Sequence, residues 1–186
     1  MNYELYLVTD ERYPNLLERV EKALQKGVTL VQYRAKHKSQ SDQIEEAKIL
    51  KALCDKHHVP LLINDNVQVA LAVDAAGVHL GQDDLDCAAA RQLLGPKKII
   101  GISAHDVPEA LLAQAAGADY IGAGAVFPTN TKLDVDTMGL EKLQEICQAV
   151  TIPVVAIGGV TFENKQKCFD VGAKGVAMVT ALLGEI

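Results

Sequence analysis

Residues able to hold a phosphate and a hard metal ion sit at the ends of short apolar runs in this sequence. Asn64-Asp65 follows Leu61-Leu62-Ile63, and Gln82-Asp83-Asp84 follows Gly77-Val78-His79-Leu80-Gly81. Gln32, Arg34 and Lys36 alternate through Val31-Gln32-Tyr33-Arg34-Ala35-Lys36. Pro128-Thr129-Asn130-Thr131-Lys132 follows an apolar run ending at Phe127, and Gly158-Gly159 follows Val154 to Ile157. Carboxylates suit a hard cation, Arg and Lys suit phosphate oxygens, and glycines let backbone N–H groups approach an anion. Gathered in one place, these types make a site for a phosphorylated ligand and a divalent cation.

Each group has a structural alternative. Asp65 and one of Asp83 and Asp84, on neighbouring strand ends, can hold one Mg2+, with waters and phosphate oxygens completing the octahedron. Asn64 and Asp65 are equally good N-caps for a helix starting near Val67, and Asp83 or Asp84 for the next one. Gln32, Arg34 and Lys36 share one strand face by period two. Two buried cations there would be very costly without an anionic partner, although Lys36 also reads as the solvated start of the loop His37-Lys38-Ser39. The stretch 128–132 offers two hydroxyls, backbone N–H groups and one ammonium, enough to wrap a phosphate, or simply a polar turn. Gly158-Gly159-Val160-Thr161 ends a strand and starts a helix, an anion-binding geometry, or a tight turn with Thr161 as N-cap. His79 sits mid-strand, where it faces either a pocket or the core, and Ser103 and His105 end another strand. No Ser-His-Asp or Cys-His arrangement is legible, so nothing points to a covalent intermediate.

The elements that must position these residues follow from the pattern. Apolar runs at 4–9, 29–34, 60–64, 77–81, 98–103, 119–126, 153–158 and 175–180 read as strands buried on both faces, as in a parallel sheet. Amphipathic stretches lie between most of them: Leu16 to Gln25, Ser41 to His57, Pro108 to Ala116, Leu140 to Val150 and Thr161 to Val171. Eight strands in alternation with helices predict a single (β/α)8 TIM barrel over 1–186. In a barrel the end of the seventh strand and the end of the eighth, Val179-Thr180, form the usual phosphate site. A doubly wound open sheet would concentrate chemistry at one switch point, whereas polar motifs here follow strands two through seven. The final helix is predicted short or absent, at most Leu182 to Ile186, leaving an apolar bed for another subunit of a homo-oligomer to cover.

Composition narrows the partners. The 186 residues are 49% hydrophobic with a net charge of -6, which fits a globular chain and gives no electrostatic capture of nucleic acid. No apolar run approaches the roughly 18 residues of a membrane span. The four cysteines are scattered without a Cys-x-x-Cys pair, as in a reducing compartment. With no leader-like segment at the start, these features predict a cytoplasmic protein acting on small molecules.

Taken in order, the segments resemble the thiamine phosphate synthase family. The resemblance runs through Leu5-Tyr6-Leu7-Val8-Thr9-Asp10, the Gln32–Lys36 strand, Leu62-Ile63-Asn64-Asp65, Gly77 to Asp84, Gly101-Ile102-Ser103-Ala104-His105, Gly117 to Gly122, Phe127 to Lys132 and Ala156 to Val160. The family joins hydroxymethylpyrimidine diphosphate to a hydroxyethylthiazole phosphate, releasing pyrophosphate and forming thiamine monophosphate. The resemblance implies that Gln32, Arg34, Lys36, Asn64, Ser103 and Lys132 hold the diphosphate of the pyrimidine substrate. It implies Mg2+ on Asp65 and Asp84, the thiazole substrate on Thr129 and Thr131, and its phosphate on Gly159, Val179 and Thr180. Arg34, Lys36, Ser103 and Lys132 would then carry the catalysis. The family usually has an acidic residue where this chain has Ala35, a second lysine where it has Leu133, and Gln-Gly or Gly-Gly where it has Met138-Gly139. None of these removes a ligand, and together they predict a weaker anion site. Two related readings stay open: a thiazole tautomerase on the same barrel with His105 as proton carrier, and a barrel that binds a phosphate ligand without catalysis. The first generally lacks the Asn-Asp, Gln-x-Asp and Thr-Lys features kept here, and the second needs no metal pair.

Overall fold

Eight short strands carry the apolar runs and close on one another. The computed structural model describes residues 1–129 and 137–184. Its strands are β1 (Leu5–Val8), β2 (Leu30–Tyr33), β3 (Leu61–Asn64), β4 (Gly77–Leu80), β5 (Ile99–Ala104), β6 (Tyr120–Ala123), β7 (Val154–Ile157) and β8 (Gly175–Met178). They follow chain order around a closed barrel, every neighbour parallel, with Leu5 of β1 in register with Val176 of β8. The helices between them are α1 (Leu16–Gln25), α2 (Gln40–Lys56), α3 (Val67–Ala72), α4 (Cys87–Leu94), α5 (Val107–Ala115), α6 (Gly139–Ala149), α7 (Lys165–Asp170) and α8 (Thr180–Leu183). This is the predicted (β/α)8 architecture. Among the described residues no helix is long and apolar enough to cross a membrane.

Alternation along each strand sorts side chains into two cores. Outward residues such as Leu7, Val31, Leu61, Ile63, Val78 and Ile121 pack beneath the helices. Inward residues Tyr3, Tyr6, Val8, Leu30, Leu62, Tyr120, Val155 and Ala177 fill the barrel, which is a packed interior rather than a pore. Ala35 belongs to the outer layer.

The helix starts correct the alternatives raised above. Asn66, not Asn64 or Asp65, caps α3, its side chain accepting from the N–H groups of Gln68 and Val69. Asp86, not Asp83 or Asp84, caps α4. The candidate metal ligands are therefore not engaged as helix caps. The helix expected from Thr161 begins at Lys165 instead, because Asn164 Oδ1 accepts from Thr161 N and its amide donates to Gly159 O, holding the segment as a turn. The last helix is short, as expected, but starts at Thr180 and buries Leu182 and Leu183.

Candidate active site

A cavity of about 360 Å³ opens at the C-terminal mouth of the barrel. The parallel strands deliver their last residues to it, so residues far apart in sequence meet there. Gln32, Arg34 and Lys36 reach it from β2, Asn64 and Asp65 from β3, Asp84 from beyond β4, and Ser103 from β5. Thr129, Gly158, Gly159, Val179 and Thr180 line the opposite part. Thr131, Lys132 and Leu133 lie outside the described residues. Each described residue to which the resemblance gives a role lines this one cavity.

Asp65 is the electrostatic centre. It adopts a left-handed backbone, φ 61°, tolerated by Asp better than by most residues. Its N–H donates to His79 O at 2.8 Å, tying the end of β3 to β4. Burial pushes its carboxyl above the usual carboxylate range, and a hydrogen bond and repulsion from Asp84 push it further; Lys36 acts in the opposite direction. Lys36 Nζ is 3.3 Å from Asp65 Oδ2, so it is not merely a solvated loop residue. Asp84 is held by Gly81 N, which donates to its Oδ2 at 2.6 Å. Two carboxylates in contact beside one ammonium carry surplus negative charge in a partly desolvated place. An all-oxygen donor pair of this kind suits a hard divalent cation, and two carboxylates are the usual protein share for Mg2+, with substrate phosphates supplying more oxygens. The residues present therefore fit the metal.

Near the end of β2 lies a buried carboxylate whose partner is Arg12. Asp10, 3% exposed, accepts from Arg12 Nε and Nη2, the latter at 2.6 Å. Arg12 above all, with a smaller contribution from Arg34, holds the Asp10 carboxyl below its ordinary range. Thr9 Oγ1 accepts from Arg34 N at 2.9 Å and registers the end of β2 against β1. Ala35 points away from the cavity, so the missing acidic residue does not alter its wall.

The deeper part of the cavity is neutral and hydrogen-bonded. Gln32 is 4% exposed and donates from Nε2 to Tyr6 Oη at 2.6 Å. Ser103 Oγ lies 3.0 Å from His79 Nε2, and Gln82 Nε2 donates to Ser103 O. His79 thus faces the site while also being fully engaged in it. His105 pairs with Glu109, Nδ1 to Oε2 at 2.9 Å. Tyr6, Thr9 and Tyr120 received no site role from the sequence because they sit inside or just after the apolar first and sixth strands; only the closed barrel brings them to the cavity.

The glycines after β7 make a close packing contact. Gly158 and Gly159 have φ of +93° and +63°. A Cβ at Gly158 would lie 2.5 Å from Ala125 Cα, and one at Gly159 would lie 2.4 Å from Pro128 O. They allow the loop after β7 to pack directly on the loop after β6, which brings Thr129 to the same wall. Tyr13 Oη donates to Thr180 Oγ1 at 3.2 Å and orients the far side.

A closed parallel barrel whose C-terminal mouth gathers carboxylates and cations defines the class, a (β/α)8-barrel enzyme. The family model for thiamine monophosphate synthase matches residues 5–182. The chain is 44% identical over 185 residues to thiamine-phosphate synthase of Persephonella marina, spanning 98% of this chain and 88% of that protein. It is 48% identical over 187 residues to the thiamine-phosphate synthase of Clostridium novyi, spanning 98% and 92%. The solved thiamine phosphate pyrophosphorylase of Pyrococcus furiosus superposes with a TM-score of 0.92 at 40% identity, covering 98% of this chain and 88% of that one. The chain belongs to the thiamine monophosphate synthase family, a family of transferases.

Proposed function

We propose that this mouth joins a hydroxymethylpyrimidine diphosphate to a hydroxyethylthiazole phosphate, or its carboxylated form, giving thiamine monophosphate and pyrophosphate. The observation that supports it most is the Asp65–Asp84 pair facing Lys36 and Arg34 in one cavity. Asp65 and Asp84 would hold Mg2+, which when bound supplies positive charge to the diphosphate. Arg34 and Lys36 add theirs, with Lys132 as the family resemblance implies. The C–O bond between the pyrimidine methylene and the diphosphate breaks, its electron pair leaving with pyrophosphate, and the thiazole nitrogen pair forms the new C–N bond. Negative charge grows on the leaving group as that bond breaks, so cations aimed there stabilise the transition state more than the substrate. No protein nucleophile is required.

The resemblance puts Gln32 and Ser103 on the diphosphate together with Arg34, Asn64 and Lys36; being neutral side chains of the same cavity, Gln32 and Ser103 would also reach the pyrimidine ring. Thr129, Thr131, Gly159, Val179 and Thr180 would receive the thiazole phosphate. The test is to incubate the protein with both substrates and Mg2+ and follow thiamine monophosphate by oxidation to fluorescent thiochrome. Product that needs both substrates and vanishes with EDTA supports the reading. A folded protein that still binds thiazole phosphate and forms no product overturns it.

A further inference from the structure

Two ligand-facing residues of the cavity are joined across its floor by an unbroken hydrogen-bond chain whose members also line it. Gln32 Nε2 donates to Tyr6 Oη at 2.6 Å, and the Tyr6 and Tyr120 hydroxyls are 2.9 Å apart. Tyr120 Oη is 2.7 Å from His79 Nδ1, and His79 Nε2 is 3.0 Å from Ser103 Oγ. The members come from β2, β1, β6, β4 and β5, so the chain crosses the barrel. Tyr6 and Tyr120 are 2% and 0% exposed. Burial raises both hydroxyls far above their ordinary range, so each keeps its proton and offers one donor.

The barrel makes room for this chain. A Cβ at Gly101 would lie 2.1 Å from Tyr120 Cζ, and one at Gly122 would lie 2.7 Å from His79 Cε1. Glycines on β5 and β6 thus clear the space that the two rings fill. Tyr3 packs on Tyr120 with ring centroids 4.8 Å apart and the rings tilted by 40°.

Such a chain has a direction. A hydroxyl that gives its proton to one neighbour must accept from the other, and a neutral imidazole donates from one nitrogen and accepts at the other. With Gln32 donating to Tyr6, Tyr6 donates to Tyr120, Tyr120 to His79 Nδ1, and His79 Nε2–H to Ser103. The Ser103 proton is then left for the cavity, and the Gln32 carbonyl remains as an acceptor. Turning the Gln32 amide over reverses every link, and Ser103 then loses its free proton. A mixed order leaves a buried donor or acceptor unmade, which is expensive.

We propose that Tyr6, Tyr120 and His79 are positioning residues that lock the donor–acceptor character of Gln32 to that of Ser103, so that the two ends read an aminopyrimidine ring as one unit. An acceptor at Gln32 and a donor at Ser103 complement an exocyclic amine and an adjacent ring nitrogen. An oxo-pyrimidine, with the opposite order, would require the whole chain to invert. The proposal rests on the reading of this mouth as the seat of the pyrimidine diphosphate.

The test is a double-mutant cycle. Gln32→Met and Ser103→Ala are made singly and together, in the wild-type chain and in Tyr120→Phe, which keeps the ring and removes the central hydroxyl. In the wild type the two losses in kcat/KM for the pyrimidine diphosphate should fail to multiply by about threefold or more. In Tyr120→Phe they should multiply independently. Tyr120→Phe alone should raise the KM of the pyrimidine diphosphate about tenfold and leave that of the thiazole phosphate within about twofold. Independent multiplication in both backgrounds, or equal rises in both KM values, overturns the relay. If Tyr120→Phe does not fold, Tyr6→Phe cuts the same chain one link earlier and is read the same way. If the wild-type chain forms no product, the reaction assignment fails separately. The same cycle read from calorimetric affinity for the pyrimidine diphosphate then decides the relay, and absence of any binding overturns it.

Discussion

At Asp65, burial and the Asp84 carboxylate both disfavour the charged form, and one ammonium only partly offsets them. A group held in that way destabilises the fold when it is ionised. Asp65→Asn removes the repulsion and, on the proposed function, a metal ligand together. Its metal-free melting temperature should equal or exceed the wild type, while Mg2+-dependent turnover falls by at least about a hundredfold, more than the loss expected for a residue that only supports a ligand. Calorimetry and a Mg2+ titration of the thiochrome assay measure both; full activity at low Mg2+ would remove Asp65 from the metal site. Asp10 behaves in the opposite sense. Its carboxyl is depressed by Arg12, so the folded state binds fewer protons than the unfolded state below the ordinary value of 3.8. Stability from this pair is complete above that value and is lost as pH falls through the depressed folded value. Asp10→Asn should therefore cost about 1 kcal/mol at neutral pH, the low end for a charge-assisted bond because Arg12 is half exposed, and should flatten the acid limb of urea-unfolding midpoints.

Strand ends were legible because each apolar run stops at a polar residue, and this alone places Asn64, Asp65, Asp84 and Ser103 at one mouth. Which of several Asn and Asp residues caps the following helix was not legible, since Asn64, Asp65 and Asn66 have the same chemistry. The left-handed turn at Asp65 decides it by handing the cap to Asn66. The turn after β7 shows the same limit: its glycines announce a close approach, but the approaching group is the Phe127-Pro128 loop rather than open space. Gly159→Ala would drive Cβ into Pro128 O in a backbone that already disfavours a side chain. That substitution should lower stability by about 2 kcal/mol and displace the loop carrying Thr129. The thiazole phosphate KM should then rise several-fold more than the pyrimidine diphosphate KM. Equal changes in both would detach this loop from the thiazole side.

Across the whole molecule, the mouth exists only because the barrel closes, and closure depends on the last strand reaching the first. A closed parallel barrel has no free edge, and its strands must meet at matched heights. β8 meets β1 through Gly175, where a Cβ would lie 1.9 Å from Tyr3 O, a backbone atom that cannot swing aside. The sequence shows a glycine before an apolar run at both Gly175 and Gly27 and cannot distinguish them. The folded chain can: Gly27 has φ +90° with nothing within 4 Å of its Cβ position. Gly27→Ala should therefore cost only the left-handed backbone preference, about 1 kcal/mol, with the activity of the folded fraction intact. Gly175→Ala must either part β1 from β8 or shift β1, and should cost about 3 kcal/mol or more. Because Tyr3 and Tyr6 belong to the same inner layer, a shifted β1 should also perturb the relay beneath Gln32. Urea unfolding of the two variants, with the pyrimidine diphosphate KM measured on each, separates the cases. Similar losses from both would mean that closure at β1–β8 does not depend on Gly175.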